Sequence, residues 1–495
     1  MRKRKSHLSV FLLIVFVLSV FTFGSGTANA VIEPGITVPS FSQLKENPKY
    51  PDPFKFLDGS RLKAREDWPK LRNEISALAQ TFEYGIIPGK PQSVKGSISG
   101  NTFTVTVTDN GKTVSFTAKI TYPTAGKAPY PAMIGCGMNT LNQQEILKLG
   151  VACIDLDTET IASQTNNVRG KGKFYDLYGS NHSCGSIAAW AWGASRLIDA
   201  LETTPEAKIN AARLGVTGGS RNGKGALGIG AFEERIVLTI PQESGCGGTG
   251  NYRFAESKGS SVQRIQSLVG EQAWFSKALD QFSYAVNKLP YDHHQVLAMC
   301  APRGLLFIEN PDYEWLCNEG CWNNGKLVKM VYEALGVGDR MGYSSVGGHM
   351  HCSLPASQYE DVNAFIRKFL LDDKTANTNI FKSDRNYTLN ESKWIDWTVP
   401  TLTGTVPEPG ASVAPTNTPT PTNPPHTPTP TKITNPEDVN RDGVVNMADA
   451  LMIATVFNST RGDGKYKAEC DLDNNGAINM ADVLAIAAKF GKTLN

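Results

Sequence analysis

Ser220 lies in Leu214-Gly-Val-Thr-Gly-Gly-Ser220-Arg-Asn-Gly-Lys224-Gly-Ala226. An apolar run of β type there passes through glycines to one serine and on into an Ala/Leu/Gly run of helical type. A serine so placed can carry acyl-transfer chemistry. A strained strand-to-helix turn lifts its Oγ clear of a sheet and turns the next backbone N–H, that of Arg221, toward a developing oxyanion. The pattern departs from G-x-S-x-G: the glycines are Gly218, Gly219 and Gly223, and Asn222 takes the place of the last one. Gly-Gly-Ser-Arg also suits an ordinary loop, so the partners of Ser220 decide between the two.

A serine nucleophile needs a base to take its proton and an acid to orient that base. The chain has 7 histidines. His7 falls in an N-terminal apolar leader, His182 in a polar upstream loop and His426 in a Thr/Pro tract, while His293 and His294 precede an apolar run and read as structural. His349 and His351 remain, in Gly347-Gly-His-Met-His-Cys352 after the last expected strand. The order Ser…acid…His fits Ser220…Glu243…His351. Glu243 stands at a strand end in Ile240-Pro-Gln-Glu-Ser-Gly245, and Glu309 and Asp312, after the next strand, are rivals on topology.

A second chemistry is written twice near the C-terminus. Calcium loops need oxygen ligands at positions 1, 3, 5, 7, 9 and 12, with glycine at 6. One copy offers Asp438, Asn440, Asp442, the Val444 carbonyl, Asn446 and Asp449 around Gly443; the other offers Asp471, Asp473, Asn475, the Ala477 carbonyl, Asn479 and Asp482 around Gly476. Two copies in one register argue against a chance acidic turn. Position 12 is Asp where EF-hands have Glu, and Pro436 leaves no room for a helix before the first loop.

The elements that must hold these residues follow from periodicity. Residues 102–108 and 113–122 alternate around Asn110-Gly111 as a hairpin. Apolar runs at 132–135, 151–156, 214–217, 236–240, 305–308 and 341–346 then alternate with helical stretches at 186–201, 223–232 and 326–335. That alternation predicts an α/β domain whose mainly parallel sheet is covered on both faces. Residues 401–436 turn abruptly to Thr, Pro and Asn, a composition that builds no core and reads as a semi-rigid spacer. The expected domains are therefore 31–400 for the α/β unit and 437–495 for the calcium module.

Residues 1–30 read as a secretory leader, with Arg2 to Lys5 basic, 8–21 apolar and Ala28-Asn29-Ala30 a cleavage site, so the expectation is a secreted, extracellular protein. In its 495 residues, Lys+Arg at 49 against Asp+Glu at 47 leave no basic field for nucleic acid, and no later run suits a membrane span. Nine cysteines are an odd number in such a protein, so at least one thiol lacks an intramolecular partner. Cys300 reads as a small buried residue, and Cys317 and Cys321, in a loop without histidine, do not suit zinc.

Over roughly residues 131–355 the chain resembles the glucuronoyl esterases, carbohydrate esterases that cleave esters between glucuronic acid on xylan and lignin alcohols. The likeness is carried by Thr217-Gly-Gly-Ser-Arg-Asn-Gly-Lys-Gly-Ala226, Pro241-Gln-Glu-Ser-Gly245, Glu271-Gln-Ala-Trp-Phe275, Tyr291-Asp-His-His-Gln295 and Ala301-Pro-Arg-Gly-Leu305. Trp315-Leu316 and Met341-Gly-Tyr-Ser344, leading into His349-Met-His-Cys352, complete it. The resemblance implies an α/β-hydrolase three-layer sandwich with Ser220 as nucleophile, His351 as base, Glu243 as acid and Arg221 at the oxyanion. It further implies that Lys224, Gln263, Glu271 and Trp315 grip the glucuronate, with no cofactor for catalysis. The family often has a cysteine before the nucleophile bonded to the one after the histidine; here Gly219 replaces the first while Cys352 remains. Within enzymes the alternative is an acetyl-xylan or feruloyl esterase; outside them, a non-catalytic carbohydrate-binding scaffold component.

Residues 437–495 resemble a dockerin, a small all-α module. That implies two bound Ca²⁺, a cohesin module of a scaffold protein as partner, and a cellulosome-like assembly. The identical pairs Met447-Ala448 and Met480-Ala481 imply two possible docking orientations.

Overall fold

The computed structural model describes residues 32, 35–165, 168–271, 273–406, 436–437, 439, 445, 447–487 and 489. The leader, nearly all of the Thr/Pro spacer and most of the first calcium loop lie outside these. Two compact units divide within the spacer region.

The first unit is built on one ten-stranded sheet. Its strands are β1 (Ser93–Ser99), β2 (Thr102–Asp109), β3 (Lys112–Thr121), β4 (Tyr130–Cys136) and β5 (Ala152–Leu156), then β6 (Ile209–Gly219), β7 (Ile236–Gln242), β8 (Gly304–Glu309), β9 (Met341–Ser345) and β10 (Phe381–Ser383). The order is β1-β2-β3-β5-β4-β6-β7-β8-β9-β10. Pairing is antiparallel from β1 to β5 and parallel from β5 onward. Asn110 (φ 49°) and Gly111 (φ 73°) form the tight two-residue turn expected of Asn-Gly, pairing Asp109 with Lys112.

Successive side chains of the central strands enter different cores. Leu305 and Phe307 of β8 join one apolar cluster, and Leu306 and Ile308 the other. Helices Ser186–Glu202 and Arg221–Phe232 cover the first face, while Tyr359–Leu370 lays Val362, Phe365 and Ile366 on the second. This is the three-layer sandwich, in which buried parallel strands carry apolar residues on both faces.

Three details depart from expectation. β1 has no fully buried residue and a polar sequence, so this edge strand leaves no apolar alternation to read. β10 follows β9, making β9 the penultimate strand in the chain. The helix expected over 326–335 runs Asn318–Ala334, so Cys317 is its N-cap and Cys321 a buried residue of its first turns rather than a loop residue. Its weak helix formers are satisfied by tertiary hydrogen bonds: Asn324 Nδ2 donates to Thr249 O at 2.8 Å and Oδ1 accepts from Asn251 Nδ2 at 3.0 Å. All nine cysteines are free thiols, and only Cys352 is not buried.

The first residues of the compositional spacer belong to this unit. Leu402 is buried in the main core, Thr403 bridges Ala64, and Thr405 N donates to Glu66 Oε1 at 2.6 Å. In the second unit, helices Met447–Thr455 and Met480–Ala487 close a small core of Val445, Ile453, Cys470, Ile478 and Ile486. A two-residue ladder of β11 (Ser459–Thr460) and β12 (Ala477–Ile478) adds to the helices. Among the described residues no helix is long and apolar enough to cross a membrane.

Candidate active site

β6 ends at Gly219 and the helix Arg221–Phe232 begins one residue later, leaving Ser220 to make the turn with φ 57° and ψ −126°. A non-glycine residue in this region is strained and persists only where its surroundings over-determine it. They do so here: Ser220 N donates to Gln242 O at 2.9 Å, and Ser220 O accepts from Gly223 N at 2.9 Å and Lys224 N at 3.1 Å. The glycines permit the close approach. A Cβ on Gly218 would lie 2.4 Å from Asn222 O, and one on Gly223 would lie 2.8 Å from Gln242 O. The unusual glycine spacing thus still builds an elbow.

β7 delivers Glu243 to the same end of the sheet, fully buried, in the left-handed region (φ 46°), its N–H donating to Ile308 O at 2.7 Å. His351 Nδ1 donates to Glu243 Oε2 at 2.7 Å, and Cys352 N–H donates to the same oxygen at 3.0 Å. A proton on Nδ1 leaves Nε2 with a lone pair for a hydroxyl proton. Nε2 is buried and has no hydrogen-bond partner among the described residues. Tyr313 Oη accepts from His351 N at 2.8 Å, and the rings of Tyr313 and Trp315 lie 5.2 Å and 5.3 Å from the imidazole.

The rival carboxylates are placed differently. Asp312 is spent on Arg385 Nη2 at 2.7 Å and Gly348 N at 2.6 Å. Glu309 is fully buried, and burial, with the Glu243 charge added and the Thr249 hydroxyl opposing, pushes its carboxyl up to about 8. His349 is engaged within its own loop, its Nε2 donating to Val346 O at 2.7 Å. Arg221 is exposed at the start of its helix. Burial and the Glu243 charge push the Cys352 thiol up to about 12, and the Arg221 charge opposes this.

Beyond the elbow lies a polar cluster. Lys224 is buried, and its Nζ donates to Ser244 O and, at 3.3 Å, to Gln263 Oε1. The Trp274 ring lies 5.8 Å from the same ammonium. Gln263 N donates to Trp315 O at 2.8 Å, which ties the Lys224 cluster to Trp315, whose indole is 40% exposed. Glu271 ends the helix Ile265–Glu271; its side chain lies outside the described residues.

In the second unit, Asp471, Asp473 and Asp482 bring carboxylate oxygens within 4.8 Å of one another. Gly476 makes the sharp turn at φ 86°. Backbone N–H groups aim these carboxylates: Asp471 accepts from Gly476 at 2.9 Å, and Asp482 from Leu472 at 2.7 Å and Asn479 at 2.8 Å. A set of hard oxygens converging so closely suits Ca²⁺, which offsets their mutual repulsion. Of the first loop, Asp449 is described and buried; Asp438, Asn440, Asp442, Val444 and Asn446 lie outside the described residues.

The family described as "Glucuronyl esterase, fungi" matches residues 105–336, and the dockerin type I domain matches residues 436–490. A 4-O-methyl-glucuronoyl methylesterase of Hypocrea jecorina is 45% identical over 383 residues, 77% of this chain and 80% of its own. The chain belongs to the glucuronoyl esterase family. The glucuronoyl esterase catalytic domain of Hypocrea jecorina has a TM-score of 0.70 at 46% identity, covering 74% of this chain and 100% of that one. A mutant glucuronoyl esterase of Sporotrichum thermophile, solved with methyl 4-O-methyl-β-D-glucopyranuronate, has a TM-score of 0.69 at 39% identity over 73% and 97%. The protein is thus a carboxylic ester hydrolase of the 4-O-methyl-glucuronoyl methylesterase type on an α/β-hydrolase fold, with a dockerin type I module after it.

In this glucuronoyl esterase several contributors had no signal of their own in the sequence. The Ser244 carbonyl is a backbone group, and Tyr313 acts through its hydroxyl on a backbone N–H. Trp274 stood within a quoted motif without a role; only its packing against Lys224 supplies one.

Proposed function

We propose that this chain hydrolyses esters joining the carboxyl of (4-O-methyl-)glucuronic acid on glucuronoxylan to lignin alcohols, by two-step acyl transfer through Ser220. Ser220 Oγ attacks the ester carbonyl as His351 Nε2 takes its proton, and Glu243 stabilises the imidazolium that forms. The Arg221 N–H and guanidinium donate to the oxyanion. The tetrahedral adduct collapses, His351 returns the proton to the departing alkoxide, and the alcohol leaves. Water then attacks the acyl-enzyme with His351 again as base, releasing the uronic acid and restoring Ser220.

The observation that carries this reading is the 2.7 Å bond from His351 Nδ1 to Glu243 at the sheet end that also holds the strained Ser220. Lys224 and Gln263, with Glu271 and Trp315, fit a uronate: an ammonium and amide beside an aromatic face suit sugar hydroxyls and a pyranose ring better than the methyl of an acetate. The test is hydrolysis of the benzyl ester of glucuronic acid by wild type and Ser220→Ala, with acetylated xylan and a feruloyl ester alongside. Turnover of the glucuronate ester that vanishes in the variant supports the reading. Preference for acetyl or feruloyl esters would overturn the substrate while leaving the nucleophile.

We further infer that the dockerin holds two calcium ions, one in each loop, and docks this secreted esterase on the cohesin of an extracellular, cellulosome-like scaffold. Calcium-dependent binding to a type I cohesin is the check; binding unchanged by a chelator counts against it.

A further inference from the structure

The loop from Ser244 to Gly250 touches Lys224 and the segments that carry Trp315 and the helix after Gln263. Its Ser244 carbonyl accepts from Lys224 Nζ. A Cβ on Gly245 would lie 2.9 Å from Leu316, the neighbour of Trp315, and one on Gly247 would lie 2.9 Å from Leu268 of the helix that follows Gln263. Yet the loop is rich in glycine, with Gly245 at φ 62° and Gly247 at φ 76°, so it is costly to order; Thr249 N donates to Ser244 Oγ at 2.9 Å, and Thr249 O is held by Asn324 Nδ2 at 2.8 Å.

A further anchor comes from beneath. Gly248 O accepts from His293 Nδ1 at 2.8 Å, and His293 Nε2 meets Glu83 Oε1 at 2.7 Å. Glu83 also accepts from Tyr252 Oη at 2.7 Å and Tyr291 Oη at 2.8 Å. Glu83 and His293 are both fully buried. A carbonyl can only accept, so Nδ1 carries a proton; a carboxylate already taking two phenol hydroxyls accepts from Nε2 as well. His293 is therefore an imidazolium paired with Glu83. Burial lowers its pKa, but the Glu83 charge and the bonds to Glu83 and Gly248 outweigh burial and raise it.

We propose that the Glu83–His293 ion pair is a positioning device for the uronate pocket. By holding Gly248 it fixes the loop on which Lys224, Trp315 and the 265–271 helix converge, and so governs affinity for the sugar acid rather than the rate of acyl transfer. The proposal rests on the uronate reading above. It gives His293, which the sequence marks only as structural, an effect on catalysis through another segment.

The experiment compares wild type, His293→Ala and His293→Asn, the last keeping a donor near the place of Nδ1. KM and kcat are measured on benzyl glucuronate, and the rate of Ser220 labelling by a small alkyl fluorophosphonate reports the triad without the sugar. The expected result for His293→Ala is a KM raised about tenfold, with kcat and labelling changed by less than about threefold and KM partly restored in His293→Asn. Parallel loss of labelling and turnover, or an unchanged KM, would overturn the proposal. If His293→Ala does not fold, Tyr291→Phe removes one bond from Glu83 while keeping the ring. It is expected to raise KM about twofold, and no rise would be equally fatal. Wild type that labels at Ser220 but ignores benzyl glucuronate would sink the uronate reading itself, and this proposal with it.

Discussion

Cys352 Sγ stands 2.7 Å from the point that a Cβ on Gly219 would occupy. Gly219 precedes the candidate nucleophile and Cys352 follows the candidate base, so the two arms of the triad touch here. Cys352 N–H also donates to Glu243, which brings all three arms to one cysteine. The family's frequent bridge at these positions is replaced by a reduced thiol against a bare α-carbon.

Gly219→Ala is therefore expected to destabilise the esterase domain by about 1–3 kcal/mol through overpacking, and Cys352→Ala to relieve most of that in the double variant. Gly219→Cys is expected to oxidise to a 219–352 bridge. The loop closed would exceed a hundred residues, for an upper limit of about 4–5 kcal/mol less the strain of moving Cys352 back. Thiol titration and urea unfolding, with and without reductant, check both.

Ser220→Ala is expected to lower kcat on benzyl glucuronate by about 10⁴-fold or more with the fold retained, and Glu243→Gln by about 10³–10⁴-fold. Asp312→Asn, which loses only contacts to Arg385 and Gly348, should leave kcat within about threefold. A larger loss in Asp312→Asn than in Glu243→Gln would reassign the acid.

Glu309 makes stability depend on pH. Its carboxyl is held at about 8 in the folded protein but ionises near ~4.3 in an unfolded chain. Between these values the folded state keeps a proton that the unfolded state releases, so stability falls as pH rises from about 4 to about 8 and then levels off. Glu309→Gln keeps the shape and removes the titration. Unfolding in urea should find it little changed at pH 4 and more stable than wild type by on the order of a few kcal/mol at pH 8. An equal difference at both pH values would refute this.

Chelation of calcium should unfold the C-terminal module and spare the esterase. The carboxylates of Asp471, Asp473 and Asp482 converge within 4.8 Å, so removing a bound cation leaves their repulsion uncompensated. Far-UV circular dichroism should lose helix with EGTA while turnover of benzyl glucuronate stays within about twofold, and Asp471→Ala should reproduce the loss in the second loop. A fall in turnover parallel to the loss of helix would contradict this separation.

Much of the site could be read before any coordinates because its signals are local. Backbone sterics demand glycine on both sides of a strained serine, and cation radius dictates the recurrence of oxygen ligands through Asp471–Asp482. The turn at Asn110-Gly111 is likewise set by left-handed residues at neighbouring positions. Other elements gave weak signals because distant contacts stabilise them. β1 is an exposed edge strand, and the early turns of Asn318–Ala334 depend on Asn251 and Thr249 far upstream.

Residue types and short-range spacing singled out Ser220, the carboxylates able to serve it, the pair His349 and His351, and both calcium loops as candidates, because stereochemistry within a dozen residues constrains them. The family resemblance pointed to Glu243, and only the folded chain set it 2.7 Å from His351 Nδ1 while engaging Asp312 with Arg385, enclosed Lys224 with Gln263 and Trp274, and set His293 beneath the Ser244–Gly250 loop. Those outcomes depend on which strand ends lie side by side and which charges lose water. Side chains as far apart in the chain as Glu83 and His293, 210 residues, settle them together when the cores close.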